Sequence, residues 1–125
     1  PEAALLLQQV EAACERGALD EARRLCGTLL QGRPDDVRAM CLMAAIAADA
    51  GRTEEGLNWT RRAAAADPAS ASPHFVAGRL WQGAGRLPEA EASYRRAVAQ
   101  YIAILAGQAG VSGVAIAGGE GAMVQ

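Results

Sequence analysis

Residues 16–22 read RGALDEA, residues 51–56 read GRTEEG, and residues 85–90 read GRLPEA. The glycines that mark these three phrases recur at a fixed interval of 34 residues, at Gly17, Gly51 and Gly85. A period of this size is typical of a chain that stacks copies of one small unit, and it is not expected of a single irregular core. Because such stacks expose long grooves, the period favours binding over catalysis.

Each copy predicts a helix, a tight turn at the glycine, and a second helix, because apolar side chains recur at helical spacing and glycine is favoured just past a helix end. Pro34 and Pro68 keep the same interval and end the first two copies. The six predicted helices cover about 2–15, 19–31, 36–50, 53–66, 70–83 and 88–106. Ile102 stands where a third proline is expected, so we expect a longer closing helix whose extension covers the end of the stack.

Composition narrows the classes of function. The 125 residues are 51% hydrophobic but only 4% aromatic, and 12 basic residues nearly balance 14 acidic ones. A net charge of −2 does not favour nucleic acid as a partner. No apolar run approaches the roughly 20 residues that span a bilayer, and no secretory signal pattern is visible. We therefore expect a cytoplasmic protein with no membrane span.

The residues that most often carry chemistry are few. Cys14, Cys26 and Cys41 lack the spacing of a disulfide framework or a zinc site, so we expect inert packing, with a reactive thiol as the less favoured alternative. His74 is the only histidine, and no catalytic arrangement accompanies it. The sequence therefore predicts no enzyme, no cofactor and no metal site.

The repeat resembles the tetratricopeptide repeat (TPR), a 34-residue helix–turn–helix unit. The third copy resembles it most closely, and the residues at the family's packing positions are Gly78, Trp81, Ala90, Tyr94 and Ala97. Copy two has Ala44, Ala47, Gly56, Thr60 and Ala63 there, and copy one has Val10, Ala13, Ala22, Cys26 and Leu29. The resemblance implies an all-α superhelix of three antiparallel helical hairpins over residues 1–106, with repeats at about 3–36, 37–70 and 71–106.

In this family the first helix of each repeat lines a concave face. When the family's concave-face positions are transferred to this sequence, they predict a peptide-binding site. Its residues are Leu7, Glu11, Arg38, Cys41, Ala45, Phe75, Arg79 and Gln82. A subgroup of the family clamps C-terminal carboxylates with Lys and Asn, whereas the matching places here are Leu7, Glu11, Leu42, Ser72 and Val76. The resemblance therefore implies another ligand: a peptide or helix with apolar anchors and an acidic group.

Three readings of the function stay open. The first is a protein-binding scaffold, adaptor or chaperone-like module, of the kind found among bacterial secretion and assembly chaperones. The second is a regulatory TPR segment of a larger enzyme, such as a methyltransferase or a glycosyltransferase. The third is a module that self-associates through its tail. The tail, residues 107–125, is glycine-rich and predicts a flexible segment, a docking segment, or the start of another domain.

Overall fold

The computed structural model describes residues 2–108, which form six helices and contain no strand. The helices are α1 (Glu2–Glu15), α2 (Leu19–Gly32), α3 (Val37–Asp49), α4 (Thr53–Ala66), α5 (Ser72–Gly83) and α6 (Leu87–Gln108). Consecutive helices pair into three hairpins, and α2 packs on α3, α4 on α5, and α3 on α5. This confirms the predicted all-α superhelix of three helical hairpins. Within the described residues, no helix is long and apolar enough to cross a membrane.

The turn inside each hairpin is built the same way three times. Gly17, Gly51 and Gly85 have φ angles of 76°, 75° and 76°, a left-handed conformation that glycine adopts without steric cost. In each turn the N–H after the glycine donates to a carbonyl five residues earlier, as from Arg52 to Ala47 at 2.8 Å. This bond closes the helix end in the manner of a glycine C-cap, so the repeated phrase encodes a repeated backbone turn.

The connection between the first two hairpins follows Pro34. Asp36 accepts a hydrogen bond through Oδ1 from the N–H of Ala39 at 2.9 Å and thereby caps α3. An aspartate that follows the proline thus marks the start of the second repeat, since aspartate is a favoured N-cap residue.

Two clusters of buried side chains hold the hairpins together. The first lies between α1, α2 and α3 and includes Val10, Cys26 and Met40. The second lies between α3, α4 and α5 and includes Leu57 and Leu80. Small residues elsewhere at the contacts let the helices approach closely, and the larger side chains fill the space between hairpins.

The family's packing positions are buried throughout the first two repeats and only partly in the third. All five positions in copies one and two are buried, whereas Trp81 and Tyr94 in copy three are half-buried. Tyr94 nevertheless packs tightly, because a Cβ atom placed on Gly78 would lie 2.5 Å from its ring. The two aromatic residues therefore serve as packing residues, as predicted, at the end of the described stack.

The closing helix is the longest, with 22 residues, and it passes the place where proline ended the earlier copies. It covers α5 with the buried residues Ala90 and Ala97. The helix includes Gly107 and Gln108, two residues beyond the predicted helix end at about 106. The expectations for the rest of the tail concern residues 109–125, which lie outside the described part of the chain.

Candidate functional site

An open apolar groove of about 490 Å³ lies on the described surface. Its walls come from α3, α5 and α6, and its lining residues are Arg38, Cys41, Leu42, Ala45, Ala71, Ser72, Phe75, Val76, Ala97, Val98 and Tyr101. Apart from Arg38, Ser72 and the hydroxyl group of Tyr101, the lining side chains are apolar. The volume is within the range of known ligand pockets.

The repeat explains why α3 and α5 supply matching walls. Residues three and four apart share one face of a helix, so Arg38, Cys41 and Leu42 lie together on α3. The same three places in the next copy, 34 residues later, hold Ser72, Phe75 and Val76 on α5. The packing of α3 against α5 joins these two faces into one surface, and the small side chains of α3 keep the groove open.

Phe75 is one of the large exposed side chains of the groove. It is 52% exposed although it lies in a packed hairpin. Its ring contacts that of Tyr94 on α6, with centroids 5.7 Å apart and planes tilted by 53°, an arrangement that aromatic pairs favour. Tyr94 therefore packs against one side of the Phe75 ring, and the rest of the ring remains accessible to a ligand.

The cationic edge of the groove is Arg38. Its guanidinium forms an ion pair with Glu11 of α1, and both side chains are largely exposed, at 64% and 45%. Exposed pairs of this kind contribute only about 0–1 kcal/mol. An acidic group of a ligand can therefore replace Glu11 at Arg38 with little loss of stability.

Four of the eight predicted site residues line this groove: Arg38, Cys41, Ala45 and Phe75. The other four lie elsewhere on α1 and α5 and make contacts of their own. Leu7 packs partly into the first core cluster, and Glu11 reaches the groove only through Arg38.

The remaining two residues are engaged within the third hairpin and with its neighbour. Arg79 pairs with Asp49 at 3.1 Å, and Gln82 accepts a hydrogen bond from the hydroxyl of Tyr94 at 2.8 Å. Neither lines the groove, so the predicted face is divided into an apolar groove and a polar edge.

Sequence reasoning missed the wall supplied by α6. Second helices are expected on the outer surface of such a stack, so Val98 and Tyr101 are absent from the predicted site. The only sequence signal for this wall is the helical spacing of apolar residues in α6 beyond the place of the missing proline. By itself, that spacing indicates only a helix that covers the end of the stack. Leu42, Ser72 and Val76 occupy the places of the family's carboxylate clamp, and the structure puts all three in the groove.

The thiols differ in their surroundings. Burial raises the pKa of Cys26 to about 12 and that of Cys41 to about 11. Burial also raises the pKa of Cys14, with smaller contributions from Asp49, Glu11 and Glu15. A raised pKa keeps a thiol protonated and poorly nucleophilic near pH 7. Cys41 therefore offers the groove an apolar contact.

Six helices in three glycine-turned hairpins, with an apolar concave groove, define a TPR-like helical-repeat fold. The sequence matches no protein-family model, and comparison with curated proteins finds no match. Solved structures do match, and two of them are TPR-containing proteins of different kinds.

One similar structure is a single-residue variant of the O-GlcNAc transferase of Thermobaculum terrenum, with a TM-score of 0.73 and 25% identity over 87% of this chain. This chain spans only 21% of that enzyme's length. The other is the type III secretion translocator chaperone SycD of Yersinia enterocolitica, described as an alternative dimer, with a TM-score of 0.73 and 17% identity. That alignment covers 86% of both chains. At this identity the second likeness shows the fold alone.

Proposed function

We propose that this chain is a protein-interaction module that binds a peptide or a helix in the apolar groove between α3, α5 and α6. The observation that carries the proposal is Phe75, an aromatic side chain that is fixed by Tyr94 and left 52% exposed at the centre of an apolar surface. Exposed, rigid aromatic residues in apolar grooves are typical anchors of protein–protein interfaces.

The ligand that fits this groove has two features. Apolar side chains spaced along it would contact Phe75, Val76 and Tyr101, because burying each removes apolar surface from water. An acidic group at one end would pair with Arg38 in place of Glu11. Such a ligand suits a scaffold, an adaptor or a chaperone-like role, in which binding alone is the activity.

The test uses peptides selected from a random library on the immobilised full chain. The affinity of the selected fluorescent peptides is then measured by anisotropy for the wild type, for Phe75→Asp and for Leu87→Asp. Leu87 is a matched control, because it is 62% exposed and lies outside the groove. Losing one buried aromatic contact, worth about 1.5–3 kcal/mol, should weaken binding by roughly tenfold or more.

Two further measurements sharpen the test. Arg38→Gln should weaken the binding of acidic peptides at low salt and flatten their salt dependence, because added salt screens exposed charges. Circular dichroism checks that each variant keeps its helices. Selected peptides that bind Phe75→Asp as tightly as the wild type would show that the groove is not the binding face.

A second candidate function is that of a regulatory segment of a larger enzyme. It is favoured by the similarity to the O-GlcNAc transferase, in which the matching stretch makes up 21% of the enzyme's chain. In that case the groove would bind a substrate protein or another part of the same enzyme. Sequencing the complete reading frame tests this candidate, since it requires a catalytic domain in the same polypeptide.

A further inference from the structure

The second half of α6 carries a row of exposed apolar side chains, which we call the α6 stripe. It consists of Val98 at 57% exposure, Tyr101 at 57%, Ile104 at 37% and Leu105 at 45%. Their spacing of three and four residues places them on one face of the helix. Phe75, which contacts Tyr94 one turn earlier, extends this apolar surface onto α5. The stripe is thus a continuous patch.

The α6 stripe continues the face that α6 buries against its own hairpin. Ala90, Tyr94 and Ala97 face α5, and Tyr101 and Leu105 follow them at helical spacing. The amide of Gln100 donates to the carbonyl of Pro68 at 3.0 Å, so this point of α6 lies level with the loop that precedes α5. The last eight residues therefore run about 12 Å past that loop, and all of them except Ile102 and Ala106 are exposed.

Charge is absent from this end of the helix. The last charged side chain of α6 is Arg96, and residues 97–108 read AVAQYIAILAGQ. A helix end that faced only water would carry charges on its free surface. Two such ends can approach each other without like-charge repulsion, which makes the surface compatible with a second copy of itself.

The size of the patch fits a dimer interface. Large side chains carry roughly 150–250 Å² each, so the exposed parts of the α6 stripe and Phe75 amount to apolar surface on the order of 500 Å² per copy. A standard interface buries about 800 Å² per partner, of which about 65% is apolar in homodimers. The apolar area available here is therefore what one side of a stable symmetric interface requires.

We propose that two copies of this chain associate through the α6 stripe in an isologous dimer. The α6 helices pack antiparallel and cross near Tyr101, so that Leu105 of one copy lies beside Val98 of the other. The projecting turns of each copy then cover the exposed side of Phe75 in its partner. One patch supplies both a ridge, the projecting helix end, and a hollow, the wall of the groove, which is the self-complementarity that two-fold symmetry demands.

The test measures the mass of the full chain in solution by light scattering after size exclusion, over a wide range of concentration. We expect the wild type to reach twice the chain mass of 12.9 kDa. Tyr101→Glu and Leu105→Glu should each weaken the dimer by roughly tenfold or more, because a charge without a partner is costly to bury. Leu87→Glu, which also changes an exposed leucine of α6, should leave the dimer intact. Circular dichroism of every variant checks the helices.

Cross-linking tests the arrangement of the two helices. In a Cys14→Ser background, oxidation should join two copies of Tyr101→Cys by a disulfide and should not join two copies of Leu87→Cys. Cys41 is replaced by alanine in the same background, because it lines the same groove as Tyr101, and the native Cys26 is buried. A wild type that remains monomeric at every concentration would overturn the proposal, as would a dimer that survives both glutamate substitutions. A photoreactive group placed at position 101 tests the alternative that the tail covers the stripe. If the protein is monomeric and this group cross-links to residues 109–125 of the same chain, the proposal is overturned.

Discussion

The contact between Gly78 and Tyr94 leads to a quantitative prediction, which Gly78→Ala tests. A Cβ atom at position 78 would lie 2.5, 2.6 and 2.8 Å from three atoms of the Tyr94 ring. Carbon atoms in contact prefer about 3.5–4.0 Å, so the ring must move by about 1 Å. Overpacking of this kind costs about 1–3 kcal/mol, whereas replacing a helical glycine by alanine gains about 1 kcal/mol.

A matched control separates these two effects. Gly27 lies inside α2, and a Cβ atom added to it would have no neighbour within 4 Å, so Gly27→Ala shows the helix gain alone. We expect Gly27→Ala to be more stable than the wild type, and Gly78→Ala to be about 1–3 kcal/mol less stable than Gly27→Ala. In thermal unfolding followed by circular dichroism, this difference corresponds to a melting temperature lower by roughly 4 °C or more.

The second repeat supplies the rescue experiment. It has Ala44 and Thr60 at the places that Gly78 and Tyr94 occupy in the third. Tyr94→Thr should therefore remove the cost of Gly78→Ala, and the double-mutant cycle should return a coupling near the overpacking cost. Equal stabilisation by Gly78→Ala and Gly27→Ala, or a cost that persists beside Tyr94→Thr, would refute the close contact between α5 and α6.

Two further predictions concern single residues. Asp36→Ala should lower the free energy of unfolding by about 1 kcal/mol, measured by urea denaturation, because the N–H of Ala39 loses its acceptor; an unchanged midpoint would contradict the cap. Iodoacetamide at neutral pH should label Cys14 before Cys26 and Cys41, because burial raises the pKa of the latter two to about 12 and about 11. Raising the pH should increase labelling by favouring the thiolate, and mass spectrometry of the peptides checks the order. Early labelling of Cys41 would show that the groove exposes a reactive thiol.

The fold could be predicted from the sequence because its determinants are local. A glycine with a positive φ fixes each hairpin turn, and a proline or a capping aspartate fixes a helix boundary, so each signal acts within a few residues. These local signals recur in each of the three repeats at the interval of 34 residues. The helix bounds agree with the predicted ones to within two residues; the largest differences are at the start of α5, which begins at Ser72 and was expected from about 70, and in α6, which reaches Gln108 and was expected to end at about 106.

The groove could be predicted only in part because it depends on contacts between repeats. The family pattern places first helices on the concave face, and four of the residues that it selects, Arg38, Cys41, Ala45 and Phe75, line the groove. It cannot show that Arg79 turns to Asp49, since that pair joins side chains 30 positions apart. Side-chain partners of this kind depend on how α3 packs against α5. The repeat period predicts that these helices are neighbours, but it does not predict which side chains meet.

One departure from the repeat accounts for both proposed surfaces. Ile102 stands where Pro34 and Pro68 end the earlier copies, and proline there would disrupt the helix by removing a backbone donor. Because the helix continues, Tyr101 and the residues around it remain helical, so α6 supplies the third wall of the groove. The same continuation carries Leu105 past the end of its own hairpin. The proposed ligand binding and the proposed self-association therefore share Tyr101, so a peptide that fills the groove would compete with the second copy for that side chain.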